Sequence, residues 1–134
     1  MIVRLSVTMG FFRVLFRLVS REEMKMEKKR SFKDLLKLDG SKWVYLATKR
    51  DFYRFVLDAD EAGFTTRNHD SLFNCVYTGL VVIHEDERYI GFNTGFAGHT
   101  AFYSGQKSIG GKPFLRIDYG KFINGDPDYA YKRT

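Results

Sequence analysis

The stretch KWVYLATKRDFYRFVLDADEAG, residues 42–63, contains the clearest structural pattern in the chain. Its first six residues are mostly aromatic or aliphatic, which is typical of a strand. Thr48 then stands where a helix N-cap is expected, and Gly63 stands where a helix would end. Between these two residues the apolar side chains recur at helical spacing; they are Phe52, Phe55, Val56, Ala59 and Ala62. We therefore predict a strand over residues 42–47 and a helix over about residues 49–62.

On the N-terminal side of this unit, Ser31 followed by Asp34 is close to a capping box and predicts a short helix. On its C-terminal side, β-prone runs alternate with turn residues. The runs that we assign to strands are residues 64–67, 73–84, 88–93, 100–104 and 114–117. The connections that we assign are a hairpin tip at Glu85-Asp86-Glu87, a glycine-rich loop over residues 94–99, a glycine turn at Gly110-Gly111 and one helical turn over residues 118–123.

The order of these elements, helix, strand, helix and then several strands with short links, is typical of an α+β layer fold. We expect an antiparallel sheet of about four to five strands with two to three helices packed on one face. Residues 31–134 are interpreted as a single α+β domain, and residues 1–30 as a basic N-terminal segment. One hypothesis is that translation starts at Met26, which would make residues 1–25 an upstream extension of the native start.

Composition excludes several classes of protein. The chain has 134 residues, 44% hydrophobic and 28% charged, which is globular and too short for a separate cofactor domain. The single cysteine, Cys75, excludes an intramolecular disulfide framework and an all-cysteine metal site. His69, His84 and His99 lack the short spacing of metal-ligand pairs. No Walker A, GxSxG, HExxH or CxxC motif is present in the sequence. We therefore expect no enzymatic activity, no metal and no cofactor.

Positive charge is concentrated in the first part of the chain. The sequence carries 22 Lys and Arg against 16 Asp and Glu, and residues 1–50 contain thirteen of the basic and five of the acidic groups. A basic segment attracts phosphate backbones or acidic protein surfaces. One interpretation is a nucleic-acid-binding module; its candidate contacts are Lys25, Lys28, Lys29, Arg30 and Lys33. The other interpretation is a solvated helix. A transmembrane helix is not expected, because Arg13 and Arg17 interrupt the apolar run near the N-terminus. A third and weaker interpretation is a membrane-surface protein anchored by an amphipathic helix over residues 11–19.

Aromatic residues make up 16% of the chain, which exceeds what a small core needs. Some of them, the tyrosines above all, are candidates for a recognition surface. Aromatic and basic residues interleave around the 42–63 unit, and we predict that they contact a partner; they are Lys42, Trp43, Tyr45, Lys49, Arg50 and Tyr53. Three acidic residues are expected on the exposed face of the same helix; they are Asp58, Asp60 and Glu61.

Two stretches, KWVYLATKRDFYRFVLDADEAGF (residues 42–64) and RIDYGKFINGDPDY (residues 116–129), resemble small uncharacterised phage and prophage accessory proteins of Gram-positive bacteria. The shared features are a strand, a Thr-capped helix with Phe-x-x-Phe, an Ala-x-x-x-Gly end and a C-terminal strand and turn. The resemblance covers roughly residues 42–128 and carries no catalytic residue over to this chain.

This resemblance implies a protein that works in the cytoplasm of a bacterial host. Proteins of that kind are often small binders, including anti-defence inhibitors such as anti-CRISPRs. We therefore expect a non-catalytic inhibitor of a host protein or nucleoprotein complex. The alternative is the nucleic-acid-binding module that uses the basic N-terminal third of the chain.

Overall fold

A five-stranded sheet organises residues 30–132, which are the residues that the computed structural model describes. The strand order is β3-β2-β1-β5-β4. The strands are β1 Ser41–Tyr45, β2 Leu80–His84, β3 Tyr89–Gly91, β4 Ser108–Ile109 and β5 Lys112–Asp118. The helices are α1 Phe32–Leu36, α2 Lys49–Glu61, α3 Gly95–Ser104 and α4 Tyr119–Ile123, with a 3-10 helix at Leu72–Asn74. The predicted α+β class is confirmed.

The sheet is mixed rather than purely antiparallel. Strand β1 pairs antiparallel with β2 and parallel with β5, so that Trp43 lies between Val82 and Arg116. The remaining two pairs, β2 with β3 and β4 with β5, are antiparallel hairpins. The expectation of an antiparallel sheet is therefore wrong for one pair. A short hairpin turn makes its two strands antiparallel. Strands β1 and β5 are instead separated by most of the domain, so no short turn fixes their relative direction.

The unit formed by β1 and α2 confirms the local sequence pattern. The side chain of Thr48 accepts a hydrogen bond of 3.1 Å from the backbone N–H of Asp51, which caps the helix. Gly63 follows the helix with a φ of 91°, a conformation that favours glycine. The short helix α1 likewise begins with the predicted capping box between Ser31 and Asp34.

One face of the sheet carries helices α1, α2 and α4 and the 3-10 helix, and we call the cluster between them the major core. Its buried side chains are Phe32, Leu35, Val44, Leu46, Phe52, Phe55, Val56, Ala59, Phe64, Leu72, Val81, Ile83, Ile90, Ile117, Tyr119, Phe122 and Ile123. The apolar stripe of α2 points into it, as its spacing predicts.

The opposite face of the sheet is covered by α3, around a smaller cluster that we call the minor core. Its buried side chains are Trp43, Leu80, Val82, Ala101, Phe102 and Phe114. Three helices lie on one face, as expected, but residues 95–104 form a fourth helix on the other face instead of the expected loop and strand. Gly98 lets this helix approach the sheet, because a Cβ atom there would lie 3.0 Å from the ring of Trp43. The glycine serves close packing rather than a flexible turn.

Two predicted strands are shorter than expected. The β-prone run over residues 73–84 forms a strand only from Leu80, and within it Val76 is 84% exposed. The strand expected over residues 64–67 is reduced to a single bridge between Thr65 and Tyr89. Both runs contain β-prone residues, but neither finds a neighbouring strand along its full length.

The outer edges of the sheet are short or partly paired within the described residues, since the edge strand β4 has only two residues. Thr65 exchanges backbone hydrogen bonds with Arg88 and Ile90, so it shields the edge of β3. At the other edge, residues 129–131 pair with the second half of β5 through backbone hydrogen bonds of 2.8 and 2.9 Å. A partner therefore meets the side chains of this domain rather than a long open strand edge.

Candidate binding surface

Lys42, the first of the predicted contact residues, is buried. Its Nζ donates hydrogen bonds to Glu85 Oε1 at 3.0 Å and to the carbonyl of Gly40 at 3.3 Å, and the residue is only 5% exposed. The alternation of strand side chains places Lys42 on the face of the major core, where the hairpin tip supplies its counter-charge. The prediction of a surface contact is therefore wrong for Lys42.

Trp43 is also buried, and the prediction of a surface contact is wrong for it too. The residue is 6% exposed, stacks on the ring of Phe114 at 4.8 Å and donates its indole N–H to Ser41 Oγ at 2.9 Å. Helix α3 covers it. Because residues 95–104 were expected to form a loop and a strand, the sequence offered nothing to cover this side chain.

The other four predicted contact residues lie together where β1 ends and α2 begins. Tyr45 is half-buried, Lys49 and Arg50 are exposed, and Tyr53 is 37% exposed. Their proximity follows from their order in the chain, since only three residues separate the strand from the helix.

Three further tyrosines, which sequence reasoning missed, join Tyr45 and Tyr53. The ring of Tyr131 lies 4.4 Å from that of Tyr45 and 5.8 Å from that of Tyr103. On the other side, the rings of Tyr53 and Tyr77 both contact Phe52, at 5.8 and 5.5 Å. We call the resulting set the tyrosine surface; its members are Tyr45, Tyr53, Tyr77, Tyr103 and Tyr131.

Besides residues 45–53, the tyrosine surface includes three parts of the chain that are distant in sequence. Tyr77 comes from the segment before β2 and donates its hydroxyl to the carbonyl of Leu46 at 3.0 Å. Tyr103 lies on α3, and Tyr131 follows the residues that pair with β5. No local motif links these positions, so only the tertiary fold brings them together.

The exposed side of α3 extends this surface. His99 lies 6.0 Å from the ring of Tyr103, and Phe96, one turn earlier, is 88% exposed. His99 Nδ1 lies 2.8 Å from Thr94 Oγ1, which holds the imidazole against the start of the helix.

The hydroxyls of Tyr45 and Tyr103 are held in their neutral form. Burial raises the pKa of both residues, and in both cases the neighbouring hydroxyl of Tyr131 acts in the same direction. Neutral phenols offer both a hydrogen-bond donor and an acceptor next to a large apolar ring. These two tyrosines can therefore contact a partner without carrying a charge.

A carboxylate lies beside the centre of the tyrosine surface. Asp118 ends β5 and is the register partner of Tyr45, which ends β1. Its Oδ1 accepts a hydrogen bond of 3.3 Å from the backbone N–H of Lys121, which caps α4. Burial and then the charge of Asp118 raise the pKa of Asp51, against the opposite effect of Arg54. The charge of Asp118 therefore acts on Asp51 at this end of the sheet.

The predicted nucleic-acid contacts are only partly described. Lys25, Lys28 and Lys29 lie outside the described residues, and Lys33 is exposed on α1. Arg30 instead closes α4: its guanidinium donates to the carbonyls of Phe122 and Asp126 at 3.0 and 2.9 Å and lies 4.8 Å from the ring of Tyr129. These contacts give Arg30 a capping role that the prediction of a phosphate contact did not include.

Two more arginines cap the C-terminal ends of helices in the same way. Arg116 donates to the carbonyls of Ala101 and Phe102 at the end of α3, and Arg88 donates to the carbonyl of Ala62 after α2. Residues 30–132 contain fourteen basic and thirteen acidic side chains, so the described part of the chain is almost neutral. The excess positive charge lies outside it.

Asp58, expected on the exposed face of α2, is 8% exposed. The hydroxyl of Tyr119 donates to its Oδ2 at 2.5 Å, and burial raises the pKa of Tyr119 well above its usual value. The neighbouring Arg54 is 4% exposed, and its guanidinium lies 3.5 Å from Asn124 Oδ1. Helix α4 packs on this face of α2, so the expectation of a fully solvated acidic face is wrong.

Residues 30–132 contain no group of three or more side chains that could hold a metal ion. Cys75 is half-buried, and burial raises the pKa of its thiol. None of the helices in the described part of the chain is long and apolar enough to span a bilayer. Comparison with protein-family models, curated proteins and solved structures finds no match for this chain.

Proposed function

We propose that the protein is a non-catalytic binding protein of the phage accessory type, which inhibits a host protein or nucleoprotein complex in the bacterial cytoplasm. The tyrosine surface is the observation that supports this proposal. Tyrosine gives large contact area at a low cost in side-chain entropy and is enriched at protein interfaces. The resemblance of residues 42–128 to phage accessory proteins favours an inhibitory role.

The described contacts favour a protein partner that is recognised by side chains. The short, partly paired sheet edges disfavour recognition by strand addition. The near balance of charge in residues 30–132 disfavours a nucleic-acid backbone as the main ligand of this part of the chain. Lys49 and Arg50, which are exposed at one end of the tyrosine surface, supply polar contacts at its rim.

The partner class can be tested by capture from a bacterial lysate with the full chain as bait. One half of the lysate is treated with nuclease before capture, and retained proteins are identified by mass spectrometry. We expect one defined protein or protein complex to be retained from both halves. Binding that is lost with nuclease and weakens steeply with salt would instead support the nucleic-acid-binding module.

The role of the tyrosine surface is tested with Tyr131→Ala, because this ring contacts both Tyr45 and Tyr103. We expect the affinity for the captured partner to fall at least about tenfold, as for truncation of an aromatic residue central to an interface. Tyr89→Ala is the matched control, since Tyr89 is a half-buried tyrosine on β3 that stacks on His84. Thermal unfolding of each variant checks that it is folded.

A further inference from the structure

We propose that the tyrosine surface binds an arginine side chain of the partner protein, which stacks on the rings of Tyr45 and Tyr131 and pairs with the carboxylate of Asp118. This inference rests on the proposed function, since it assumes that the partner is a protein. It specifies which side chain of the partner contacts the tyrosine surface and which interactions hold it there.

The position of Asp118 is the first argument. Tyr45 and Asp118 are the last residues of two adjacent parallel strands and are paired in register. Side chains paired in this way point to the same face of a sheet and lie close together. The ring of Tyr131 packs on that of Tyr45 at 4.4 Å. The carboxylate and two half-buried rings therefore meet at the carboxyl end of the parallel pair.

Local charge is the second argument. The charge of Asp118 acts with burial to raise the pKa of Tyr45 and that of Asp51. Burial is the main cause of the raised pKa of Asp51, and the charge of Asp118 adds to it against the opposite effects of Arg54 and Arg50. A cation placed beside Asp118 would offset its repulsion of Asp51.

Guanidinium groups of this chain repeatedly pack on aromatic rings, which favours the same kind of contact with a partner. The guanidinium of Arg116 lies 4.1 Å from the centre of the Phe114 ring while it donates to backbone carbonyls. Arg30 does the same over Tyr129 at 4.8 Å. A planar guanidinium can stack on a ring and donate to an oxygen in its own plane, which an ammonium group does less well. The partner group is therefore assigned as arginine rather than lysine.

The experiment uses the full chain, and the probe is an acetylated and amidated Gly-Arg-Gly peptide. The same peptide with citrulline in place of arginine keeps the shape of the side chain and removes its charge. We expect the arginine peptide to shift the ring resonances of Tyr45 and Tyr131 in a saturable NMR titration, and the citrulline peptide to shift neither. Absence of saturable binding by the arginine peptide would overturn the inference, as would equal binding of the two peptides.

Asp118→Asn removes the charge and preserves the fold, because asparagine caps a helix about as well as aspartate. We expect it to weaken the arginine peptide at least about fivefold, while Asp86→Asn, the same charge change at the distant hairpin tip, has no effect. Equal affinity of Asp118→Asn and the unmodified chain would contradict the inference.

The two proposals fail in distinguishable ways. If the captured partner binds Asp118→Asn normally but is lost by Tyr131→Ala, the arginine contact is wrong and the tyrosine surface stands. If Tyr131→Ala also retains the partner, the assignment of the surface itself is wrong.

Discussion

The two faces of the sheet differ in how completely they are closed. The major core contains seventeen buried side chains, and several of them, such as Val44 and Phe55, have no exposed area. The minor core contains six, under a single helix that includes Gly98 and has no side-chain cap at Thr94. Apolar burial is the main source of stability, so the first face holds the fold together. On the second face, Tyr45, Tyr103 and Tyr131 pack against the minor core and stay half-buried.

The largest expected effect is on the major core. Phe55→Ala should lower the free energy of unfolding by about 5 kcal/mol, the upper end for truncation of a buried phenylalanine, because the site is enclosed on all sides. Its ring contacts those of Phe32 and Tyr119 at 5.7 and 5.2 Å, on two different helices. Urea unfolding of the full chain, followed by circular dichroism, measures this loss.

The matched variant on the other face is Phe102→Ala, which removes an equally buried ring from α3. We expect a loss of about 3 kcal/mol, because the half-exposed side of this cluster can relax or admit water. The fluorescence of Trp43, which lies in the same cluster, should shift to longer wavelength in this variant before any global unfolding. A loss as large as that of Phe55→Ala would contradict the difference between the faces.

A smaller effect is expected where α4 joins α2 through a buried polar contact. Tyr119→Phe keeps the ring but removes the hydroxyl that donates to Asp58 Oδ2. The free energy of unfolding should fall by about 1–3 kcal/mol, because a buried acceptor loses a donor. Tyr89→Phe, which changes a half-buried tyrosine in the same way, serves as the control. No measurable loss in Tyr119→Phe would show that this hydrogen bond does not contribute to the packing of α4.

The part of the fold that could be predicted is the part specified by neighbouring residues. The cap at Thr48, the apolar stripe of α2 and the stop at Gly63 all lie within sixteen residues, and each is confirmed. The hairpin tips are equally local. The fold class followed from the order of these elements, whereas the parallel pairing of β1 with β5 depends on contacts between distant segments.

Helix α3 could not be predicted because tertiary contacts stabilise it. Its sequence is rich in glycine and has low helix propensity. Two tertiary contacts offset this low helix propensity. They are the close approach of Gly98 to Trp43 and the hydrogen bonds from Arg116 to the last carbonyls of α3. The tyrosine surface has the same origin, since Tyr103 and Tyr131 are far from Tyr45 in the sequence. Residues that adjoin in the chain, such as Lys49 and Arg50, were the part that the sequence could bring together.

The smallest expected effect is a pH dependence of the free energy of unfolding. It tests how far the second face of the sheet is shielded from water. The ring of His84 stacks on that of Tyr89 at 4.3 Å, and burial lowers the pKa of His84 below the ordinary value of 6.5. Arg67 acts in the same direction, and Glu87 opposes it. The unfolded chain therefore binds a proton more readily than the folded chain. This contribution to stability is complete above pH 6.5 and is lost as the pH falls through the folded-state pKa.

Urea unfolding between pH 5 and pH 7.5 measures this dependence, and NMR titration of the His84 ring gives its pKa directly. His84→Gln should reduce the slope of stability against pH, because glutamine does not titrate; carboxylates that titrate near pH 5 are common to both proteins and cancel in the comparison. If His84 titrated above 6.5, its ring would be better solvated than the stacking on Tyr89 indicates. This end of the second face would then be open to water, and the covering effect of α3 would be confined to the rings around Trp43.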